Sequence, residues 1–215
     1  MRRKRDENEE APIEERAHKR MLELNQEGKL SDFQIIVWGE PFYVNKIVLS
    51  AISRYFAKKF EAEWECASSV NLNGKHSVEA FSSMIKYIYT YSYEQRTLVD
   101  ISDPLELVEF YFELYRMAEE YEIPGLKEQV LGDLPSAVKT LACPWDLHDM
   151  VNLRYISDSE SGKVFVAAVA DNFQDMRAFE DLDRAKQYLA ETPVFAADLI
   201  SELIKRRILN GEGGN

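Results

Sequence analysis

The chain is poor in the residues that make disulfides, metal sites and many catalytic centres. Its 215 residues include only two cysteines and three histidines. Cys66 and Cys143 lie far apart and no signal peptide precedes them, so we expect two reduced thiols in an intracellular protein. Cys143 and His148 lack the second pair of ligands that zinc usually takes. The sequence therefore predicts no bound metal.

Long apolar runs and glycine-rich phosphate loops are also missing. The longest apolar run, residues 164–170, is far too short to span a bilayer. The glycines near the C-terminus have no helix after them, as a nucleotide loop would require. Paired acids such as Glu119 and Glu120 are typical of solvated helix faces. We therefore expect no cofactor, no membrane insertion and no enzymatic activity.

Basic charge is scarce relative to acidic charge. The chain carries 38 acidic and 26 basic side chains, for a formal net charge of -12. An acidic surface repels phosphate backbones and anionic lipids. We therefore expect that the folded part of the chain binds neither nucleic acid nor a membrane surface directly.

Apolar side chains, by contrast, are abundant. The chain is 46% hydrophobic and 12% aromatic, which is enough for a core without disulfides. In Leu30–Phe60 the pattern predicts strands at Phe33–Trp38 and Phe42–Val44 around a Gly-Glu-Pro turn. From Lys46 to Phe60 the apolar spacing changes to that of a helix.

Both ends of the chain are polar. Residues 1–12 are predicted to be a disordered charged tail. Its basic cluster (Arg2, Arg3, Lys4 and Arg5) fits either a nuclear localisation signal or a solvated charge run. Ile13–Glu27 is predicted to be an amphipathic helix, and the Gly-rich residues 210–215 a flexible tail.

The remaining segments are predicted to be mainly helical. Ser77 is a suitable N-cap for a helix over Val78–Tyr89. Asp103 is a suitable N-cap, with Pro104 at the first helical position, for a helix that ends near Tyr121. Gly132–Pro135 is predicted to separate two helices and to end the first domain. Further helices are expected at 137–142, 145–156, 163–173, 182–190 and 193–208. We accordingly divide the ordered chain into residues 13–132 and an all-helical extension, residues 133–209.

Five short patterns resemble, in the right order, those of the BTB/POZ domain family. They are Ser31-Asp32, Asn45-Lys46-Ile47-Val48-Leu49, Ser53-Arg54-Tyr55-Phe56, Tyr87-Ile88-Tyr89-Thr90, and Ala118 through Tyr121 to Leu126. Asn45 stands where the family has His, and Tyr91 where it has Gly. The resemblance implies an α+β fold, the BTB/POZ fold, in which a small sheet is capped by a helical cluster. The helices after it resemble the extension behind BTB domains of many fungal proteins.

The resemblance implies that the chain self-associates as a homodimer, recruits partner proteins, or does both, with the helix at 13–27 supporting dimer contacts. A finer version is an adaptor that docks a cullin scaffold of a ubiquitin ligase. The alternative is a nuclear, transcription-linked regulator that recruits partners without contacting DNA. We therefore expect the protein in the cytoplasm, the nucleus or both.

Four residues are candidates for protein interaction. Asp32 and Lys46 stand where BTB domains often carry a charged pair, which could read a partner or position the first strand against the helix. Strand alternation would place Tyr89, Tyr91 and Tyr93 on one face. Tyr89 fits the core best, and Tyr91 and Tyr93 are the better interface candidates because tyrosine is enriched at interfaces.

Overall fold

The computed structural model describes residues 12–26, 28, 30–93, 96, 100–141, 144–172 and 182–211. These residues form two compact units. Unit 1 comprises the described residues of Met1–Glu94 and Arg116–Lys127, and unit 2 those of Gln95–Tyr115 and Glu128–Asn215. None of the helices in these ranges is long and apolar enough to cross a membrane.

Unit 1 contains a small sheet with helices packed around it. Its elements are α1 (Ile13–Gln26), β1 (Phe33–Val37), β2 (Glu40–Val44), α2 (Lys46–Ile52), α3 (Arg54–Glu61), β3 (Ser69–Asn71) and α4 (Val78–Thr90). The ends of two further helices complete it: α5 (Pro104–Glu120) and α6 (Pro124–Val138), each of which contributes to both units. This arrangement confirms the predicted small sheet and helical cluster.

The sheet has the order β2-β1-β3, with β2 antiparallel and β3 parallel to β1. Phe33, Ile35 and Val37 on β1 are buried, as period-two alternation requires. Pro41 pairs with Ile36 and lies on β2, an edge strand of the described sheet. An edge strand tolerates proline because one side of its backbone makes no ladder hydrogen bonds.

The helix predicted from Lys46 to Phe60 is interrupted at Ser53. This residue has extended backbone angles, ends α2 and caps α3 by accepting a hydrogen bond from the Phe56 N–H at 3.1 Å. Its hydroxyl also donates to the carbonyl of Tyr121 at 2.5 Å. The break therefore fixes α3 to the end of α5.

The regular secondary structure in the described part of unit 2 is all helical. Besides parts of α5 and α6, it contains α7 (Pro144–Arg154), α8 (Glu160–Asp171), α9 (Leu182–Glu191) and α10 (Pro193–Gly211). Its aromatic core includes Phe112, Phe165 and Phe195. The ring centres of Phe112 and Phe165 lie 5.7 Å apart, and those of Phe165 and Phe195 lie 6.0 Å apart. The all-helical extension is therefore present.

The prediction of a helix break at Gly132–Pro135 was wrong. These residues lie inside α6, whose Val130, Leu134 and Val138 side chains are fully buried. Burial of that apolar face outweighs the poor helix propensity of glycine and proline. The predicted boundary between 13–132 and 133–209 falls within this helix and stays a prediction.

Candidate protein-interaction surfaces

Asp32 and Lys46 contact each other through the backbone of Lys46. Asp32 Oδ1 accepts a hydrogen bond from the Lys46 backbone N–H at 2.8 Å, at the N-terminus of α2. The Lys46 ammonium donates at 2.9–3.1 Å to three carbonyls, those of Trp64, Glu65 and Ala67. An ammonium has three N–H donors, so all three are used to hold the segment after α3.

The surroundings of Lys46 favour the structural interpretation of this pair. Its Nζ lies 5.2 Å from the ring centre of Phe33 and 5.6 Å from that of Phe60, both buried. Such cation–aromatic contacts add to the hydrogen bonds already made. A role of Asp32 or Lys46 in reading a partner stays a prediction.

Asn45 satisfies the polar group of a core tyrosine. Its backbone N–H donates to the Tyr89 hydroxyl at 2.8 Å, and that hydroxyl donates to Asn45 Oδ1 at 3.2 Å. Asn45 Nδ2 in turn donates to the carbonyl of Leu30 at 2.6 Å. Burying a hydroxyl without hydrogen-bond partners is costly, and Asn45 supplies both a donor and an acceptor to the hydroxyl of Tyr89. Tyr89 belongs to the core, as the sequence indicated.

Tyr91 and Tyr93 do not follow the strand alternation that was predicted for them. Tyr91 has a left-handed backbone, with φ of 56°, and closes α4 through a hydrogen bond from its N–H to the Tyr87 carbonyl. It is 57% exposed, whereas Tyr93 is 3% exposed. Only Tyr91 therefore presents its ring on the surface, and the interface role of both residues stays a prediction.

The basic cluster from Arg2 to Arg5 and the thiol of Cys143 lie outside the described residues. Within the described ranges, no group of three His, Cys, Asp or Glu side chains is arranged to hold a metal ion.

A groove of about 520 Å³ lies within unit 1. One side consists of residues 50–54, at the junction of α2 and α3. The other consists of residues within 118–127, at the junction of α5 and α6. Buried Ala118 and Ile123 contribute apolar lining, and Ala51 and Pro124 are exposed at its edges. The groove can therefore accept apolar side chains from a partner.

The chain reversal between α5 and α6 shapes one side of the groove. The N–H of Ile123 donates to the Ala118 carbonyl at 2.8 Å, and the N–H of Glu122 to the Glu119 carbonyl at 3.1 Å. This is the Schellman pattern of helix endings, with Glu122 at the left-handed position where glycine is usual. A non-glycine residue in that conformation is strained, and such strain is commonly found at functional sites.

Charged side chains surround the apolar part of the groove. Lys127 pairs with Glu119 at 3.1 Å, and Glu122 pairs with Lys58 at 2.9 Å. The guanidinium of Arg54 has no hydrogen-bond or ion-pair partner in the part of the chain that the structure describes. The groove therefore combines an apolar surface with one uncompensated positive charge.

Sequence reasoning missed this groove. Pro124 is the first residue of α6, a position that favours proline. This proline, which comes shortly after the end of α5, was the available local signal. That residues 50–54 would face this ending depends on tertiary packing, which spacing alone does not predict.

The described elements define an α+β fold with a small sheet and a helical cluster, and further helices in unit 2. The sequence model of the BTB/POZ domain family matches residues 21–136, which is more than half of the chain. The chain therefore belongs to the BTB/POZ domain family. Among solved structures, it is similar to the BTB domain of zebrafish PATZ1, with 20% sequence identity and a TM-score of 0.43. That match covers 59% of this chain and 97% of the other.

Membership of this family indicates the general function of the chain. BTB domains are in general non-catalytic modules that bind protein partners and dimerise. The chain thus carries a protein–protein interaction module.

Proposed function

We propose that the chain recruits a partner protein by binding one of its extended segments in the groove between residues 50–54 and 118–127. The observation that carries this proposal is the groove itself, which is open and lined by both apolar and charged side chains. Its volume of about 520 Å³ accommodates a few side chains of such a segment.

Site-specific photo-crosslinking tests this proposal. A photoreactive amino acid is placed at Ala51, which is exposed on the edge of the groove, and the tagged protein is irradiated in its native cell. We expect a defined crosslinked protein, attached through a short linear segment. The same amino acid at Ala190, an exposed helix position in unit 2, is the control. Identical crosslinks at both positions would contradict groove binding.

We also propose that the chain forms a homodimer through apolar residues near α1 and the start of α2. Ile47 is 78% exposed and Leu30 is 66% exposed. The two lie close together, because Asn45 joins the Leu30 carbonyl to the start of α2. α1 packs against β2 and α4 in the same unit, and its Ile13 and Met21 are also exposed. Exposed apolar residues as close together as Leu30 and Ile47 favour contact with a second copy.

Light scattering after size exclusion measures the mass that this proposal predicts. We expect twice the monomer mass for the wild type and a shift towards monomer for Ile47→Lys. Ile156→Lys is the matched control, since Ile156 is 62% exposed but lies in unit 2. A wild type that remains monomeric at every concentration would refute self-association.

The proposed adaptor role is that the BTB domain docks a cullin while the C-terminal helices hold a substrate. This rests on the family resemblance, including the likeness of the extension to those of fungal BTB proteins. Co-purification of a cullin is the expected result. Its absence, under conditions in which a known BTB adaptor captures a cullin, would overturn the adaptor role and leave groove binding intact.

The alternative to the adaptor role is a nuclear, transcription-linked regulator that recruits partners without contacting DNA. The basic cluster Arg2, Arg3, Lys4 and Arg5 favours it. Replacing all four residues by Ala is expected to move a tagged chain from the nucleus to the cytoplasm. An unchanged distribution would contradict this nuclear signal.

A further inference from the structure

The groove contains one charged side chain whose charge the described part of the protein does not balance. Lys127 is held by Glu119 and Lys58 by Glu122, at 3.1 and 2.9 Å. Arg54 lines the same groove, is exposed, and has no such partner among the described residues. The carboxylates of Glu119 and Glu122, which line the groove, are therefore both paired with lysines of the protein itself.

Stability of α3 does not explain an arginine at this position. Arg54 is the first residue of α3, whose first turn contains no acidic residue. A positive charge is unfavourable at the N-terminus of a helix and favourable at its C-terminus. Lys58 and Lys59 occupy the last turn of α3, where basic residues are stabilising. Arg54 is thus a cation at the unfavourable end of this helix.

An arginine guanidinium is suited to bind a carboxylate. It presents five N–H donors in a planar fork that matches the two oxygens of a carboxylate. On the opposite side of the groove, Glu119 is paired with Lys127 and Glu122 with Lys58, so the cations there are already engaged. A partner carboxylate is therefore best placed on the side of residues 50–54, with an apolar neighbour over Ala118 and Ile123.

We propose that this groove selects partner segments in which an acidic residue binds Arg54 next to an apolar residue that fills the groove. The proposal rests on the proposed binding of a partner segment in the groove. It specifies the chemistry of that partner: an aspartate or glutamate at a fixed distance from an apolar side chain. Arg54 is then the residue that determines specificity.

Selection from a random linear-peptide display library tests the proposal without a known partner. The folded full chain is used as bait in three forms: wild type, Arg54→Glu and Ala51→Arg. We expect wild-type peptides to share an acidic residue at a fixed distance from an apolar residue. The Arg54→Glu form is expected to select a basic residue at that same distance, and Ala51→Arg to lose the motif because it obstructs the groove.

Binding of purified peptides then provides the quantitative readout. A wild-type-selected peptide is expected to bind Arg54→Glu about tenfold or more weakly, and Arg54→Gln with a smaller loss. Replacing its acid by lysine should restore binding to Arg54→Glu. This restoration also shows that the variant is folded.

The outcomes separate this inference from the function on which it rests. If Ala51→Arg loses the motif but wild type and Arg54→Glu select the same motif, the role of Arg54 is overturned and groove binding is retained. The absence of any motif sensitive to Ala51→Arg would overturn groove binding and this inference together.

Discussion

At the scale of single residues, Gly125 and Tyr87 fit together without room for another atom. A Cβ at Gly125 would lie 2.3 Å from the hydroxyl of Tyr87, which is itself buried. We predict that Gly125→Ala destabilises the protein by about 1–3 kcal/mol, the usual range for overpacking. Chemical denaturation measures this change in the free energy of unfolding.

Two further variants test the cause of that loss. With Tyr87→Phe the hydroxyl is absent and the nearest ring atom is 3.5 Å from the added Cβ, an ordinary contact. Gly125→Ala should therefore cost less in the Tyr87→Phe background. Gly132→Ala, in the same helix but with no atom within 4 Å of its Cβ, should stabilise by roughly 0.5–1 kcal/mol. Equal costs of Gly125→Ala in both backgrounds would refute the steric explanation.

Lys46 is predicted to act on stability. Lys46→Met keeps the aliphatic chain but removes the donors to three carbonyls. We expect it to reduce the free energy of unfolding by about 1–3 kcal/mol. Lys58→Met removes an exposed ion pair and should cost about 0–1 kcal/mol. If the two variants unfold at the same denaturant concentration, Lys46 is not a structural residue and its role as a partner contact gains support.

At the scale of elements, Asp198 fastens the α7–α8 connection to α10. Its carboxylate accepts hydrogen bonds from the hydroxyls of Tyr155 and Ser157, the latter at 2.7 Å. These hydrogen bonds hold the pKa of Asp198 below its usual value of about 3.9, and the one from Tyr155 has the larger effect. A carboxyl whose pKa is lowered on folding stabilises the protein above its unfolded pKa and loses this effect as pH falls through its folded pKa.

Comparison with Asp198→Asn isolates this contribution. Near neutral pH we expect the wild type to have the higher melting temperature. Below about pH 4 the difference should shrink, because the wild-type carboxyl becomes protonated. The melting temperatures of both proteins from pH 7 to pH 3 give this measurement. A difference that stays constant over the whole range would show that ionised Asp198 does not supply the stability.

Helix starts were easier to predict than helix continuity. Ser77 accepts from the Ala80 N–H, and Asp103 accepts from the Leu105 N–H, so both predicted caps are confirmed. Such caps involve residues two or three apart, which sequence spacing reveals. The continuity of α6 through Pro135 depends on the burial of its apolar face. A rule based on local propensity could not have anticipated it.

At the scale of the whole molecule, the family fold was predictable and the groove was not. The ordered series of short patterns identified the BTB/POZ domain, and the family match at residues 21–136 confirms it. The groove requires residues 50–54 to face residues 118–127, which are distant in sequence. Its charges are also set by pairings with Lys58 and Lys127 that spacing does not specify.

The most direct test of groove-mediated recruitment is quantitative affinity purification from the native cell. Wild type, Ala51→Arg and the matched control Ala190→Arg are compared at equal amounts, each verified to be folded. We expect one set of partner proteins to be lost with Ala51→Arg and retained with Ala190→Arg. Partner sets that are the same for all three proteins would contradict recruitment through the groove.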